Sequence, residues 1–546
     1  MPISRPRLLE TTEPLVLASI FVSAAVFFAL GLYVLSNGHP HEDAFILFIF
    51  AEELASTGRI AYYAGGPPAE GATDFLWMIA IAGLNLLGLS SGTAALVLNT
   101  VGIALLAGLT AQCVRTFGGS PTIAAACALP LPLIGFVQSG YGGFSAPLFA
   151  ALAALIASIL IQARGPGILL VPFLSIILGL FRPDGVILGV GFTLVGLAHC
   201  SQEHRKAYLL VSLGAALIGL IYFIWRWSYF GEFLPLPLMV KSEGNRLLNG
   251  LQPNLMWLTS NAAIVVVGGI GLVLASRRNH RVYSAMLPFL GLFLFLLFGV
   301  QSQNIAFRFQ APISAYLYLM CCVALAITLA AQSQSIVRNF SVAAALVLVF
   351  SNAVKGIQSE LRYLTNQDYI NYFPIHLRDS VPQDATTALT EAGRLAYWLP
   401  GTFIDLVGLN TAYTARNGAN AEYIASLQPD MIFGHLADTA RFPCEANVCR
   451  VSTEAFLNRT KNSSKLSFIN NRVVQAPLAI FEFLEQNLET YDILAVRYGA
   501  AHHHIFAIAK DGHIDVTSVV TALEFSFTED GQLSYLDAWE TKNRQR

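Results

Sequence analysis

The chain has 546 residues, of which 55% belong to the aliphatic, aromatic and cysteine set and 12% are charged, about half the roughly 25% charge of an average soluble domain. That composition excludes a wholly soluble enzyme and a disordered chain, and a net charge of −2 lacks the basic excess of a nucleic-acid binder. The balance hides two unlike parts: residues 1–354 carry 16 Lys+Arg against 12 Asp+Glu, and residues 355–546 carry 16 against 22.

The first part is a succession of apolar stretches, whereas the second has none of the ~20 residues needed to cross a bilayer. The sequence therefore predicts a polytopic α-helical membrane domain over 1–354 and a water-exposed domain over 355–546. Leu15–Leu35 follows Arg5 and Arg7, is too long for a signal-peptide core and has no small-x-small site after it, so it reads as an uncleaved span. Further spans are expected at 94–114, 121–139, 145–163, 167–181, 185–199, 207–228, 256–276, 282–299, 311–331 and 339–354. The stretch 75–89 is apolar but short.

Basic residues collect on the cytoplasmic side of membrane proteins. With 75–89 lying along the membrane surface, eleven spans remain, and ten basic residues with three acids share the side of the N-terminus. The opposite side then receives six basic residues and nine acids. This predicts a cytoplasmic N-terminus in an inner or plasma membrane, with residues 36–74 and 355–546 outside, in the periplasm or its equivalent. An oxidising outer space favours a short-loop disulfide between Cys444 and Cys449. The other five cysteines lie in or beside apolar stretches, where Cys acts as a small hydrophobe.

The outer loop 36–74 opens with Glu42-Asp43 ahead of a helical run, Ala44–Leu54. Acids at a helix start are favoured by its positive end, so the doublet reads either as a cap or as reactive carboxylates. Glu70 and Asp74 follow. Other outer loops carry cations in apolar context: Arg182 beside Asp184, Arg226, Lys241 and Arg308. Each reads alone as a snorkelling side chain. Converging on one face, they suit an anionic group such as a lipid-linked phosphate. In the soluble part, Thr386–Thr390, Thr402–Val407 and Asp430–Phe433 read as strands, and Ile505–Lys510 with His513–Ser518 as a hairpin, giving an α/β domain. His435, after a strand end, is a candidate substrate contact. His502-His503-His504 with His513 has no acid or cysteine at ligand spacing, so no metal site is predicted. No glycine-rich phosphate loop follows a strand, so no nucleotide site is expected.

Taken in order, these segments resemble the GT-C membrane glycosyltransferases, and within them the group of the mycobacterial terminal arabinofuranosyltransferase and its bacterial relatives. The resemblance rests on Glu42-Asp43-Ala44-Phe45-Ile46, on Gly66 to Trp77, on Ser139 to Phe149, on Arg182-Pro183-Asp184-Gly185, on Arg226 through Lys241, on Arg308-Phe309-Gln310-Ala311-Pro312, and on Glu391 to Tyr397 and Ile404 to Asn410. It departs where the family has a leading Asp (here Glu42), a Glu in the Ser139 segment, Pro-Asn-Thr (here Pro235-Leu236-Pro237) and Gly-Gly-Asp before Arg308. The resemblance implies a GT-C fold of about eleven spans with a C-terminal soluble domain and an outer loop of surface helices. It implies a polyprenyl-phosphate sugar donor, a glycan or lipid acceptor and a bilayer, but no nucleic acid. It implies Glu42 or Asp43 as the base, Arg182, Arg226, Lys241 and Arg308 as ligands of the donor phosphate, and Glu70, Asp74, Asp184 and His435 as substrate contacts. A cofactor is not required, although a divalent cation is compatible with the acids. A flippase of lipid-linked saccharide and a non-catalytic envelope-assembly protein are the competing readings. A flippase would favour polar groups at mid-span and repeated halves, neither of which the sequence has.

Overall fold

A computed structural model of the chain describes residues 13–162, 165–242, 249–299, 301, 303–330, 353–366, 368–435, 442, 444–463, 472–498 and 502–544. Its membrane part is built from α1 (Pro14–Asn37), α2 (Glu42–Thr57), α3 (Phe75–Asn85), α4 (Ser91–Thr116), α5 (Pro121–Ala128), α6 (Ala146–Gln162), α7 (Leu170–Phe181), α8 (Gly185–His199), α9 (Gln202–Phe230), α10 (Leu236–Ser242), α11 (Leu251–Ser260), α12 (Ala262–Ser276), α13 (Arg281–Phe298) and α14 (Ala311–Ala330). Among the described residues, α1, α4, α9, α13 and α14 are each long and apolar enough to cross a bilayer, and α11 with α12, bent by 81° at their junction, passes the same test only when the pair is taken together, as a broken span or a re-entrant loop. α6 and α8, and α7 with the 3₁₀ turn that precedes it, are shorter apolar helices. The span expected at 339–354 lies, up to residue 352, outside the described residues.

Local chemistry sets several ends. Ser90 and Ser120 cap α4 and α5 by accepting the amides of Thr93 and Ile123. Gly231 ends α9 in the left-handed region at φ 75°, where L side chains are strained. The continuous helix expected over 121–139 is not formed. Pro130 and Pro132 bring no N–H to the ladder, and the chain runs on as 3₁₀ turns at Leu131–Leu133 and Gly135–Gly140. Small residues let helices approach closely: Gly268 and Gly271 of α12 lie against the carbonyls of Leu317 and Met320 in α14. α9 turns Leu210, Leu213, Leu220 and Ile221 outward, a surface that needs lipid rather than water.

The C-terminal part carries a six-stranded sheet: β1 (Thr386–Leu389), β2 (Thr402–Asp405), β3 (Met431–Gly434), β4 (Val448–Arg450), β5 (Tyr491–Tyr498) and β6 (His502–Ala509) in the order β2-β1-β3-β6-β5-β4. β1 runs parallel to β2 and β3, and the remaining pairs are antiparallel. β6 pairs with β5, not with His513–Ser518. The latter segment instead begins a helix, Val516–Phe525, because the Asp515 carboxylate accepts the amides of Thr517 and Ser518. Cys444 and Cys449 are joined as a disulfide, with Cα atoms 6.0 Å apart.

α2 is the element both parts share. Phe45 packs among Tyr397, Trp398 and Tyr535. Glu52 accepts hydrogen bonds from the Tyr397 hydroxyl at 2.5 Å and from Lys542 Nζ at 3.1 Å. Tyr62, just beyond α2, donates to the Ala392 carbonyl at 2.7 Å. At the end of β2 the buried Asp405 carboxylate accepts the amides of Val407, Gly408 and Asn410, and Asn410 in turn packs on Gly71, where any Cβ would collide with it. Asp405→Ala is expected to orphan these donors and cost ~2 kcal/mol or more, read as a fall in the Tm of the detergent-solubilised protein.

Candidate functional site

The site forms where the N-terminus of α2 meets the carboxyl ends of β1 and β3. Three pieces of chain seat that helix end. His41 donates its amide to the Gly142 carbonyl at 3.0 Å, and its ring bonds Glu360 at 2.8 Å. Gly142 and Gly143 lie so close that a side chain at either would strike His41 or Phe48, and Gly143 sits at φ 94°. From the other side, the loop after β1 presents the amides of Gly393 and Arg394 to Glu42 Oε1 at 2.7 and 3.0 Å. A Cβ at Gly393 would collide with both the carbonyl and the carboxylate of Glu42, so the approach depends on glycine.

The two acids of the doublet face different neighbours. Glu42 turns toward the sheet, with its Oε2 3.4 Å from Arg394 Nη1. Asp43 turns toward the bundle, with its Oδ2 3.4 Å from Arg308 Nη2. Both stay about a quarter exposed, 24% and 23%. Burial, with the negative charge of Glu391 added, raises the Glu42 carboxyl to about 7 against the pull of Arg394 and the two amides.

Arg308 is buried, with its guanidinium 3.8 Å from the Phe144 ring centre and 5.3 Å from that of Phe309. Its side chain makes one hydrogen bond among the described residues, to Asp43, and its buried Nε has no acceptor. Lys241 Nζ lies 6.0 Å from the same Phe309 ring, with no ion-pair partner among the described residues. Burial, then the positive charge of Arg308, holds the Lys241 ammonium below its ordinary value, a penalty that an incoming anion relieves. Arg182 stands against Phe309 and Phe149, but its donors are engaged by Asp184 at 3.0 and 3.3 Å, by Asp74 at 3.3 Å and by Ser145 at 3.4 Å. Ser145 also donates to the Asp74 carboxylate.

Arg308, Lys241, Arg182, Asp43, Asp74 and Asp184 thus form one group. Arg226 and Glu70 are engaged with each other: Arg226 Nε donates to Glu70 Oε1 at 2.7 Å, and its Nη atoms to the carbonyls of Phe233 and Glu232 at 2.8 and 3.3 Å. His435 lies near Glu42 instead, with Nδ1 3.0 Å from Glu391 Oε1 and 2.7 Å from His504 Nε2. Sequence reasoning left Phe144, Ser145, Glu391 and Arg394 without roles. All four stand inside segments that carried the resemblance, which is the signal that pointed to them. Among the described residues, no three His, Cys, Asp or Glu side chains are grouped to hold a metal ion.

A family model described as a domain of unknown function (DUF8728) matches residues 363–495. No curated protein matches the chain. Among solved structures, ArnT from Cupriavidus metallidurans bound to undecaprenyl phosphate aligns over 91% of this chain and 99% of its own, at a TM-score of 0.57 and 11% identity. The same protein in the apo state aligns over 76% and 92%, at a TM-score of 0.53 and 14% identity. At these identities the likeness is one of fold: the chain is a polytopic helical membrane protein with the GT-C fold and a C-terminal sheet domain.

Because Arg226 and Glu70 satisfy each other in a buried pair, removing one leaves the other uncompensated, at a cost of roughly 3 kcal/mol or more. Arg226→Gln is expected to lower the Tm clearly and Lys241→Gln hardly at all. Adding Glu70→Gln to Arg226→Gln should recover part of the loss, a coupling that a double-mutant cycle measures.

Proposed function

We propose that the protein is an integral-membrane glycosyltransferase that moves a pentosyl or hexosyl unit from a polyprenyl-phosphate donor onto a glycan or lipid acceptor of the cell envelope, with inversion. The observation that carries this reading is the pair Arg308, buried, and Lys241, half-buried, two cations with unspent donors set beside the acidic doublet at one end of an apolar bundle. Two supports are the fold, shared with a protein whose structure holds undecaprenyl phosphate, and the order of sequence segments that resembles the arabinofuranosyltransferase group.

The chemistry follows from the placement. Arg308 and Lys241 take the donor phosphate, with the Arg182 charge behind them, and neutralise the charge that builds on it as the glycosidic bond breaks. The aromatic faces of Phe144 and Phe309 hold the cations in place without spending their donors. Grooves between spans receive the polyprenyl chain. Glu42, on the sheet side, takes the proton of the acceptor hydroxyl as that oxygen attacks the anomeric carbon from the face opposite the phosphate. A carboxyl raised to about 7 is a stronger base than an ordinary glutamate and is still about half ionised near neutrality. Asp43 orients Arg308. Asp74 and Asp184 orient Arg182, the Arg226–Glu70 pair anchors the end of α9, and His435 lines the acceptor side. One displacement with one base inverts the anomeric centre. The reading requires no cofactor and leaves room for a divalent cation.

We further place the N-terminus in the cytoplasm and the sheet domain in the periplasm or outside the cell. The asymmetry of basic residues and the Cys444–Cys449 disulfide support this orientation. A flippase would require polar groups along the transport path at mid-span, whereas the charged group here gathers at one end.

Glu42→Gln is expected to lower transfer from a polyprenyl-phosphate sugar about 100-fold or more. Asp43→Asn and Arg308→Gln should act mainly on donor binding. For the wild type, Glu42 must be ionised to accept a proton, so the transfer rate should fall as the pH drops through about 7. A radiolabelled-donor assay across pH measures both. Full transfer by Glu42→Gln would remove Glu42 from the role.

A further inference from the structure

The loop that follows β1 does two things to Glu42 at once. Gly393 and Arg394 hold its Oε1 with their amides. Two residues earlier on the same loop, Glu391 carries a second carboxylate close enough for the two charges to act on each other. Glu391 does not share the fate of Glu42, because His435, at the end of the neighbouring parallel strand β3, lies 3.0 Å from its Oε1. His435 is fixed in turn. Its amide donates to Thr390 Oγ1 at 2.8 Å, its Nδ1 lies 2.7 Å from His504 Nε2, and the Tyr369 hydroxyl bonds the far side of the His504 ring. Tyr498 stacks on His504 with centroids 4.6 Å apart. The result is a chain of side chains, Tyr369–His504–His435–Glu391, running out of the sheet and ending beside Glu42.

From this geometry we infer that Glu391 is a positioning residue whose fixed negative charge, held in place by His435, keeps the neighbouring Glu42 carboxylate basic. Two carboxyl groups in one site with environments that drive them apart are a recurring way to obtain a base at neutral pH. Glu391 has a partner in His435, which lowers it in spite of its burial, and His435 is itself raised by Glu391 against its own burial. His504, buried against three aromatic rings, is driven down to about 3 and stays neutral, so it leaves the charge on His435. The other groups that face Glu42 are Arg394 on the same loop, His435 itself, Tyr62 on the segment after α2, and Tyr363 on helix 353–364. Neither tyrosine ionises near neutrality, since burial raises both. Arg394 opposes Glu391, and part of its charge is spent on the Pro40 carbonyl at 3.1 Å. Burial is the larger cause of the rise, and Glu391 is the negative neighbour that adds to it.

This inference rests on Glu42 as the base, but its test reads the carboxyl itself and needs no substrate. Infrared difference spectra of the full chain in detergent, taken across pH, follow the protonated-carboxyl C=O band. The wild type should show a band that titrates near pH 7 and is absent in Glu42→Gln. In Glu391→Gln that titration should move down by on the order of one pH unit, because the like charge is gone. Glu391→Asp, which keeps the charge, should restore most of it and controls for folding. In His435→Gln, Glu391 loses the group that keeps it ionised, and a second carboxyl band should emerge in the same pH range. An unmoved Glu42 titration in Glu391→Gln overturns the proposal, as does a single band in His435→Gln. Should these shifts occur while no polyprenyl-phosphate sugar is consumed by the wild type, the charge device stands and the transferase reading fails.

Discussion

Everything at the site depends on how one helix end is held. The N-terminus of α2 carries the acidic doublet and is gripped from two sides by backbone, Gly142 on the bundle side and Gly393 with Arg394 on the sheet side, and the Arg394 guanidinium adds to the hold. Backbone groups have little freedom once their own elements are packed, so the carboxylates inherit the rigidity of β1 and of the turn before α6. The helix itself is buried on most faces, from Ala44 through Ala51. It therefore serves as the hydrophobic wedge between the two parts of the molecule as well as the carrier of its acids.

The charges around that wedge fall into two kinds. Arg182 and Arg226 are satisfied by carboxylates and carbonyls, and Arg394 is paired with Glu42 and the Pro40 carbonyl although its Nε has no acceptor. Burying such cations is tolerable because each has been given its counter-charge. Arg308 and Lys241 are held largely by aromatic faces, an attraction that is weaker and leaves hydrogen-bond donors open. The contrast separates cations whose donors are largely spent within the fold from cations whose donors remain open. The same logic distinguishes the two acids: each has an arginine at 3.4 Å, but Glu42 is also bound by two amides and sits by a like charge.

The membrane character, the parallel strands and the acidic doublet were legible in the sequence because each rests on local pattern: run length, alternation and a helix start. The opposite orientation of Glu42 and Asp43 was not, because adjacent residues on a helix point about 100° apart and only the packed surroundings say toward what. Nor does sequence separate Arg226 from Arg308. The partner of Arg226 is Glu70, 156 positions away, and nothing local announces the pairing. The strand expected at His513–Ser518 failed for a reason that was visible, the Asp515 cap. So did the helix expected across Pro130 and Pro132. In both cases the residues that punctuate the backbone outweigh apolar content. Glu391 and His435 meet only because β1 and β3 are neighbours in the sheet, a fact of topology that no spacing encodes.

The clasp at Glu52 has a consequence in time. Lys542 reaches back across 490 positions to that carboxylate. In the same C-terminal helix, Tyr535 donates its amide to the Gly38 carbonyl and its hydroxyl accepts the Gly92 amide, at 3.0 and 2.9 Å. The carboxylate on the wedge helix leaves the ribosome 490 positions ahead of the lysine that clasps it. At a synthesis rate of roughly 5–20 residues per second, the interval between them is on the order of a minute. During that interval α2 lacks its final support and the site stays unfinished, so a nascent chain cannot assemble it before the distal helix has arrived on the same side.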